Sequence, residues 1–272
     1  MEPSEPILVT TAVDEWLNHN HRFTESTQKN YRYAIRKFVK SLPASLTIDQ
    51  LTRSHIETYL DEMVGRLSNN SFNFYLITIK SFCRFLSDHY DLPNIAQKVK
   101  KLPGRSQQRF LSDEEYRKVL AVCLDGERDT VQFLANTGLR ADELLRLDAS
   151  NITPDRKFLS IIGKGLKRRE IPLNDTCKQI IERHPNLKLS KSYMYLYRLC
   201  QSLAGRADIK PFGPHALRHY FATSLMRRCK KGVSIYRISK VLGHSSIKVT
   251  EKLYLHFVAR IDLEGLTDCL DE

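Results

Sequence analysis

Arg140, Glu143, Lys164, His215, Arg218, His244 and Tyr254 stand in five short segments, TGLRADELLRL, GKGLKRREIPL, HALRHYF, LGHSS and EKLYLHF. Singly, each segment has an ordinary reading. Arg140 and Glu143, three apart, suit a surface ion pair worth a few tenths of a kcal/mol. Lys164 between two glycines suits a solvated turn, His215 with Arg218 a helix face, and His244 a turn between helices. Tyr254 is one tyrosine of twelve, and most tyrosines pack. Together they meet one chemical demand. Breaking a phosphodiester without a metal needs a nucleophile, donors for the non-bridging oxygens and a proton for the leaving alkoxide. Two arginines can clamp a phosphate through paired donors, which lysine does less well. A lysine on a turn can protonate a leaving 5′ oxygen, and histidines exchange protons near neutral pH. A tyrosine hydroxyl stores the bond energy as a phosphotyrosyl ester, so rejoining needs no ATP.

These residues need a frame, and the sequence supplies one. Ser112 with Glu115 forms a capping box, and Leu111 with Tyr116 a hydrophobic staple, so a helix starts there. VQFLANTGL continues helical with Gly138 as its C-cap, and ADELLRL restarts a helix just after Arg140. Phe158, Leu159, Ile161 and Ile162, then Gly163-Lys164-Gly165, then Ile171 and Leu173 read as strand, turn and strand. Further helical stretches lie around Ile180, Leu196, Leu217 and Ile238. The N-terminal hundred residues read as helices throughout. Their apolar stripes are Tyr31, Ala34, Ile35, Phe38 and Val39, then Ile56, Leu60, Met63 and Val64, then Tyr75, Ile79, Phe82, Cys83 and Leu86. Between the halves, QKVKKLPGRSQQRF clusters five basic residues around Pro103 and Gly104 and loses any apolar period. The expected fold is mainly α with a small antiparallel β-sheet in the second domain. Residues 1–97 are expected to form a helical domain that fits DNA binding, 98–108 a basic linker, and 109–272 an α+β domain that carries the five segments.

Composition narrows the partners. The chain carries 43 Lys and Arg against 31 Asp and Glu, a net charge of +12, which attracts polyanions and nucleic acid above all. No apolar run is long enough to span a membrane, and the acidic start of the chain lacks the form of a secretion signal. The six cysteines, Cys83, Cys123, Cys177, Cys200, Cys229 and Cys269, include no C-x-x-C pair. That speaks against a zinc site and a disulfide scaffold, and for reduced thiols in a cytoplasmic protein that uses no metal and no cofactor.

TGLRADELL, GKGLKRREIPL, HALRHYFAT and LGHSSIKVTEKLY, in this order, resemble the signatures of the tyrosine recombinase (phage integrase) family. The resemblance covers the whole chain, and it implies that 1–97 is a helical core-binding domain and 109–272 the catalytic domain of a C-shaped DNA clamp. It implies Arg140 and Arg218 as the phosphate-clamping pair, Lys164 as the proton donor to the leaving group, and Tyr254 as the nucleophile. It places His215 where the family has His or Lys, His244 where it has His or Trp, and Glu143 as the acidic residue that holds the site together. Two positions depart from the pattern. Asp142 stands where Ser is common, so the acidic role can be shared, and Tyr254 falls one residue later than the commonest spacing from the LGH histidine. The resemblance further implies double-stranded DNA with specific sites as substrate and a homotetramer on two synapsed sites, and leaves open whether an accessory protein is a further partner. The early first helix leaves no room for an extra N-terminal arm-binding domain, so the simple two-domain layout of Xer-type or short mobile-element integrases is expected. The C-terminal apolar set Phe257, Val258, Ile261, Leu263, Leu266 and Leu270 is expected to pack on a neighbouring subunit. The rival readings are a type IB topoisomerase, which shares the tyrosine and arginine chemistry, and a DNA-binding protein without activity.

Overall fold

The computed structural model describes residues 6–19, 23–104, 109–163, 168–228, 234–243, 246–248 and 250–251. The chain divides into two compact units, Met1–Gln107 and Gln108–Glu272, each around its own apolar core.

The first unit is helical: α1 (Val9–His19), α2 (Glu25–Val39), α3 (Arg53–Asp61) and α4 (Asn69–Tyr90). Thr24 and Ser68 cap α2 and α4 by accepting the amide protons of Thr27 and Ser71, which fixes where each helix begins. Ala34, Ile35 and Phe38 turn one face of α2 onto α4, where Trp16, Ile56, Leu60 and Phe82 complete a core sealed from water. One stripe ends sooner than its apolar spacing predicts. Helix α3 stops at Asp61, and Val64 lies exposed. Beyond Asp61 the amides of Met63, Val64 and Arg66 bond three residues back, and Gly65 takes a φ of 76° that ends the helical path. The basic stretch read as a linker contributes its first part to this unit. Val99 is buried, the Leu102 amide and carbonyl both bond the Asn73 amide group, and the Asn69 side chain donates to the Pro103 carbonyl.

The second unit runs α5 (Asp113–Val122), α6 (Asp125–Thr137), α7 (Ala141–Leu145), a 3₁₀ turn (Ala149–Asn151), β1 (Phe158–Ile162), β2 (Arg168–Pro172), α8 (Asp175–Arg183), α9 (Tyr193–Arg206), α10 (Pro214–Arg228) and α11 (Ile235–Leu242). The capping box at Ser112 forms as the sequence predicts: the Glu115 amide donates to the Ser112 hydroxyl, and the Ser112 amide donates back to the Glu115 carboxylate. Strands β1 and β2 pair antiparallel, with Leu159 opposite Ile171 and Ile161 opposite Arg169. Side chains alternate along a strand, so Leu159, Ile161 and Ile171 enter the core and carry Arg169 inward with them. The architecture is therefore mainly helical with one two-stranded sheet, as expected. Among the described residues no helix is long and apolar enough to cross a membrane.

Candidate active site

Gly138 sets the first corner of the site. It ends α6 in the left-handed conformation, φ 63°, with its amide bonded to the Leu134 carbonyl. Two residues later Arg140, in extended conformation, becomes the N-cap of the short α7. Glu143 is the third residue of that helix, and its Oε2 accepts the Arg140 amide proton at 2.7 Å. The same carboxylate accepts from the Arg140 guanidinium at 2.9 Å, so backbone and side chain of Arg140 are held by one group. The Arg140 side chain keeps 33% exposure while Glu143 keeps 3%. A buried acid thus holds a half-open cation.

Glu143 holds a second guanidinium. Arg169 reaches inward from β2 and donates from both terminal nitrogens, at 2.9 Å to Oε1 and 2.7 Å to Oε2. Its side chain is 6% exposed. Burial alone pushes the Glu143 carboxyl upward, but the bonds from Arg169 and from the Arg140 amide, with both positive charges, overcome it and hold the pKa at about 2.

Arg218 lies on α10 and is buried. Its terminal nitrogens donate to the carbonyls of Gly138 and Leu242, each at 2.6 Å. Both carbonyls sit at helix C-termini, of α6 and α11, where the unpaired carbonyls carry partial negative charge. That placement compensates a cation which, among the described residues, makes no ion pair of its own. Burial, then the neighbouring Arg140 cation, lowers the Arg218 pKa, and Glu143 opposes them. A delocalised guanidinium still remains charged near neutral pH.

His215 stands one turn before Arg218, in the first turn of a helix opened by Pro214. It is exposed, yet partial desolvation and the Arg218 and Arg140 cations lower its pKa, while exposed Asp142 pulls the other way. The next-door His219 is driven lower, to about 4, by burial first and then by His215 and Arg218. Both rings are therefore neutral at pH 7, and His215 is the one with an open face. The guanidinium groups of Arg140 and Arg169 bond the Glu143 carboxylate, while Asp142 accepts only from Arg146, through its backbone carbonyl, among the bonds described.

Arg140, Glu143, His215 and Arg218 are thus brought together, although the chain places them up to 78 residues apart. Lys164, His244 and Tyr254 lie outside the described residues. The turn just ahead of His244 is described, and it belongs to the same cluster. Gly243 caps α11 with φ 64°, and the carbonyls of Val241, Leu242 and Gly243 accept in turn from Arg169, Arg218 and Arg140, at 2.9, 2.6 and 3.1 Å. The motifs did not single out Arg169. Its signal is the alternation of β2, which puts a charged residue in phase with the inward-facing Ile171. Among the described residues no group of three or more His, Cys, Asp or Glu is placed to hold a metal.

Comparison with known proteins bears on the family and the fold. A profile described as the phage integrase family matches residues 109–260, and one described as the phage integrase N-terminal SAM-like domain matches 13–89. A tyrosine recombinase of Thermosipho africanus is 27% identical over 268 residues, covering 89% of this chain and 92% of that one. The tyrosine recombinase XerA of Thermococcus onnurineus is 29% identical over 249 residues, covering 83% of each. In fold, the Tn1549 transposon integrase, solved in complex with transposon right-end DNA, superimposes with a TM-score of 0.76 at 18% identity, covering 96% of this chain and 100% of that one. A lambda integrase dimer bound to a core site gives 0.77 at 16% identity, covering 91% and 95%. The chain belongs to the phage integrase family, and with it to the tyrosine recombinases.

Proposed function

We propose that this chain recombines specific double-stranded DNA sites by passing each cut strand through a covalent bond to Tyr254. Its family makes it a tyrosine site-specific recombinase; the assignment of steps to residues is our reading. The Tyr254 oxygen attacks the scissile phosphorus, the bond to the 5′ oxygen breaks, and Lys164 gives that oxygen its proton. The DNA 3′ phosphate is left as an ester of Tyr254, and attack by a 5′ hydroxyl from the partner strand reverses the step. Arg140 and Arg218 bind the non-bridging oxygens, His215 and His244 donate to phosphate or move the tyrosine proton, and Glu143 holds Arg140 in place.

One observation carries this reading. The guanidinium groups of Arg140 and Arg169 share one buried carboxylate, and that of Arg218 is bound by the Gly138 and Leu242 carbonyls, so the pocket keeps positive charge that Glu143 does not neutralise. Such a surplus suits an anion whose charge grows as it reacts, which is the situation of a phosphodiester under attack.

Residues 1–97 would bind DNA as the helical unit, 98–108 would follow the phosphate backbone, and 109–272 would carry the chemistry. Four copies would act on two synapsed sites, joined by the C-terminal segment, which lies outside the described residues. An accessory protein would choose which pair of subunits cuts, in a cytoplasmic reaction that needs no cofactor and no metal.

The assignment of the proton donor has its own test. Sulfur at the 5′ bridging position makes a leaving group that needs little protonation. Lys164→Ala should cleave ordinary DNA slowly and the sulfur substrate at close to the normal rate. Arg140→Ala and Arg218→Ala should stay slow on both, because their work is on the non-bridging oxygens. Equal rescue of all three, or rescue of none, rules this division out.

A further inference from the structure

We infer that Arg169 is a positioning residue for strand cleavage: it sets both the clamp arginine Arg140 and the end of α11 that leads into His244, without touching DNA. The inference rests on the reading of the site given above.

Arg169 reaches from β2 to two other parts of the site, the buried acid of α7 and the end of α11. Its paired nitrogens grip both oxygens of Glu143, the carboxylate that fixes Arg140. Its Nε donates to the Val241 carbonyl at 2.9 Å. One planar group therefore links α7, β2 and α11, and ties the acid behind the clamp to the turn before His244. The next two carbonyls of that turn belong to Arg218 and Arg140, so all three arginines read three consecutive peptide units. A lysine in place of Arg169 would keep the charge but could not span these acceptors, since its donors radiate from one nitrogen.

Gly243 shows how closely this group is fitted. A Cβ there would lie 2.9 Å from Arg169 Cδ and 3.1 Å from its Nη1. The guanidinium cannot swing aside cheaply, because it is held at Glu143 and at Val241. Being 6% exposed, Arg169 also offers no surface to a phosphate. Its effect on cleavage must pass through its neighbours.

The test uses the full-length chain and a DNA site nicked so that the covalent adduct accumulates. Arg169→Lys should bind the site within about twofold of wild type, yet form the adduct on the order of a hundredfold more slowly, the scale expected when reacting groups shift by about an ångström. A general loss of stability is controlled by Asp129→Asn, which breaks the Arg183 and His184 contacts of a separate cluster. That variant, compared at equal unfolding temperature, should cleave normally. If Arg169→Lys does not fold, Arg169→Gln takes its place and the same readings decide. Adduct formation within about threefold of wild type, or loss of affinity and rate in equal proportion, overturns the inference. So does equal slowing of the stability-matched Asp129→Asn. Tyr254→Phe is run alongside: an adduct on that variant would mean that the nucleophile was misassigned, a failure distinct from any result with Arg169.

Discussion

Glu143 shows how a single buried residue can hold two cations in place. Buried acids are costly unless every lone pair is used, and this one is used by two guanidinium groups and an amide. Its folded pKa of about 2 lies below the unfolded value of 4.5, so the shift stabilises the fold above about pH 4.5 and is lost as pH falls from there through 2. Glu143→Gln should cost on the order of 3 kcal/mol at neutral pH, because it leaves Arg169 buried without a counter-charge. The variant should also lose less stability than wild type between about pH 5 and pH 2 when thermal unfolding is followed across that window. A parallel fall of both curves would mean that Glu143 is not ionised in the folded protein. The sequence announced Arg140, Glu143, His215 and Arg218 because their spacing within short segments matches a chemical need. Arg169 was silent, since its role depends on strand register and on a carbonyl 72 residues away. No local pattern encodes such a contact.

At the scale of elements, helix ends do much of the positioning. Arg218 is held by the C-termini of α6 and α11, and Arg140 caps the start of α7. Gly138 belongs to this set by conformation and by space. Its φ of 63° disfavours any side chain, and a Cβ would fall 2.3 Å from Cδ1 of the buried Phe221 ring. Gly138→Ala should therefore destabilise the second unit by about 2–4 kcal/mol, combining left-handed strain with overpacking. Because the Gly138 carbonyl holds Arg218, cleavage should fall as well, even well below the unfolding temperature. A variant that keeps full stability and full rate would remove Gly138 from the account. This helix end was legible, as were the capping box at Ser112 and the two short strands on either side of the expected turn, because caps and strand alternation depend on a few adjacent residues. The end of α3 was not. Met63 and Val64 continue the apolar spacing, but local three-residue bonds and the positive φ of Gly65 prevail over it.

Over the whole molecule the surplus of positive charge is the leading property. If both units bind the duplex as proposed, a chain of net charge +12 should neutralise many phosphates and release their counterions. With each contact contributing about −0.9 to the slope of log affinity against log salt, a slope steeper than about −5 is expected. A slope near zero would leave the charge without a role in binding. The two-unit organisation could be read from the break in apolar period near Pro103. Docking of residues 99–103 on α4 could not, since it depends on Asn69 and Asn73 side chains reaching across from a distant stretch of sequence.

Cutting by the Tyr254 hydroxyl, as proposed, is tested most directly by trapping the protein on a nicked copy of its own site. A covalent adduct should form as readily in EDTA as without it, should map by peptide sequencing to Tyr254 joined to a DNA 3′ phosphate, and should be abolished by Tyr254→Phe. An adduct that persists in Tyr254→Phe, or cleavage that stops when divalent ions are chelated, would contradict it.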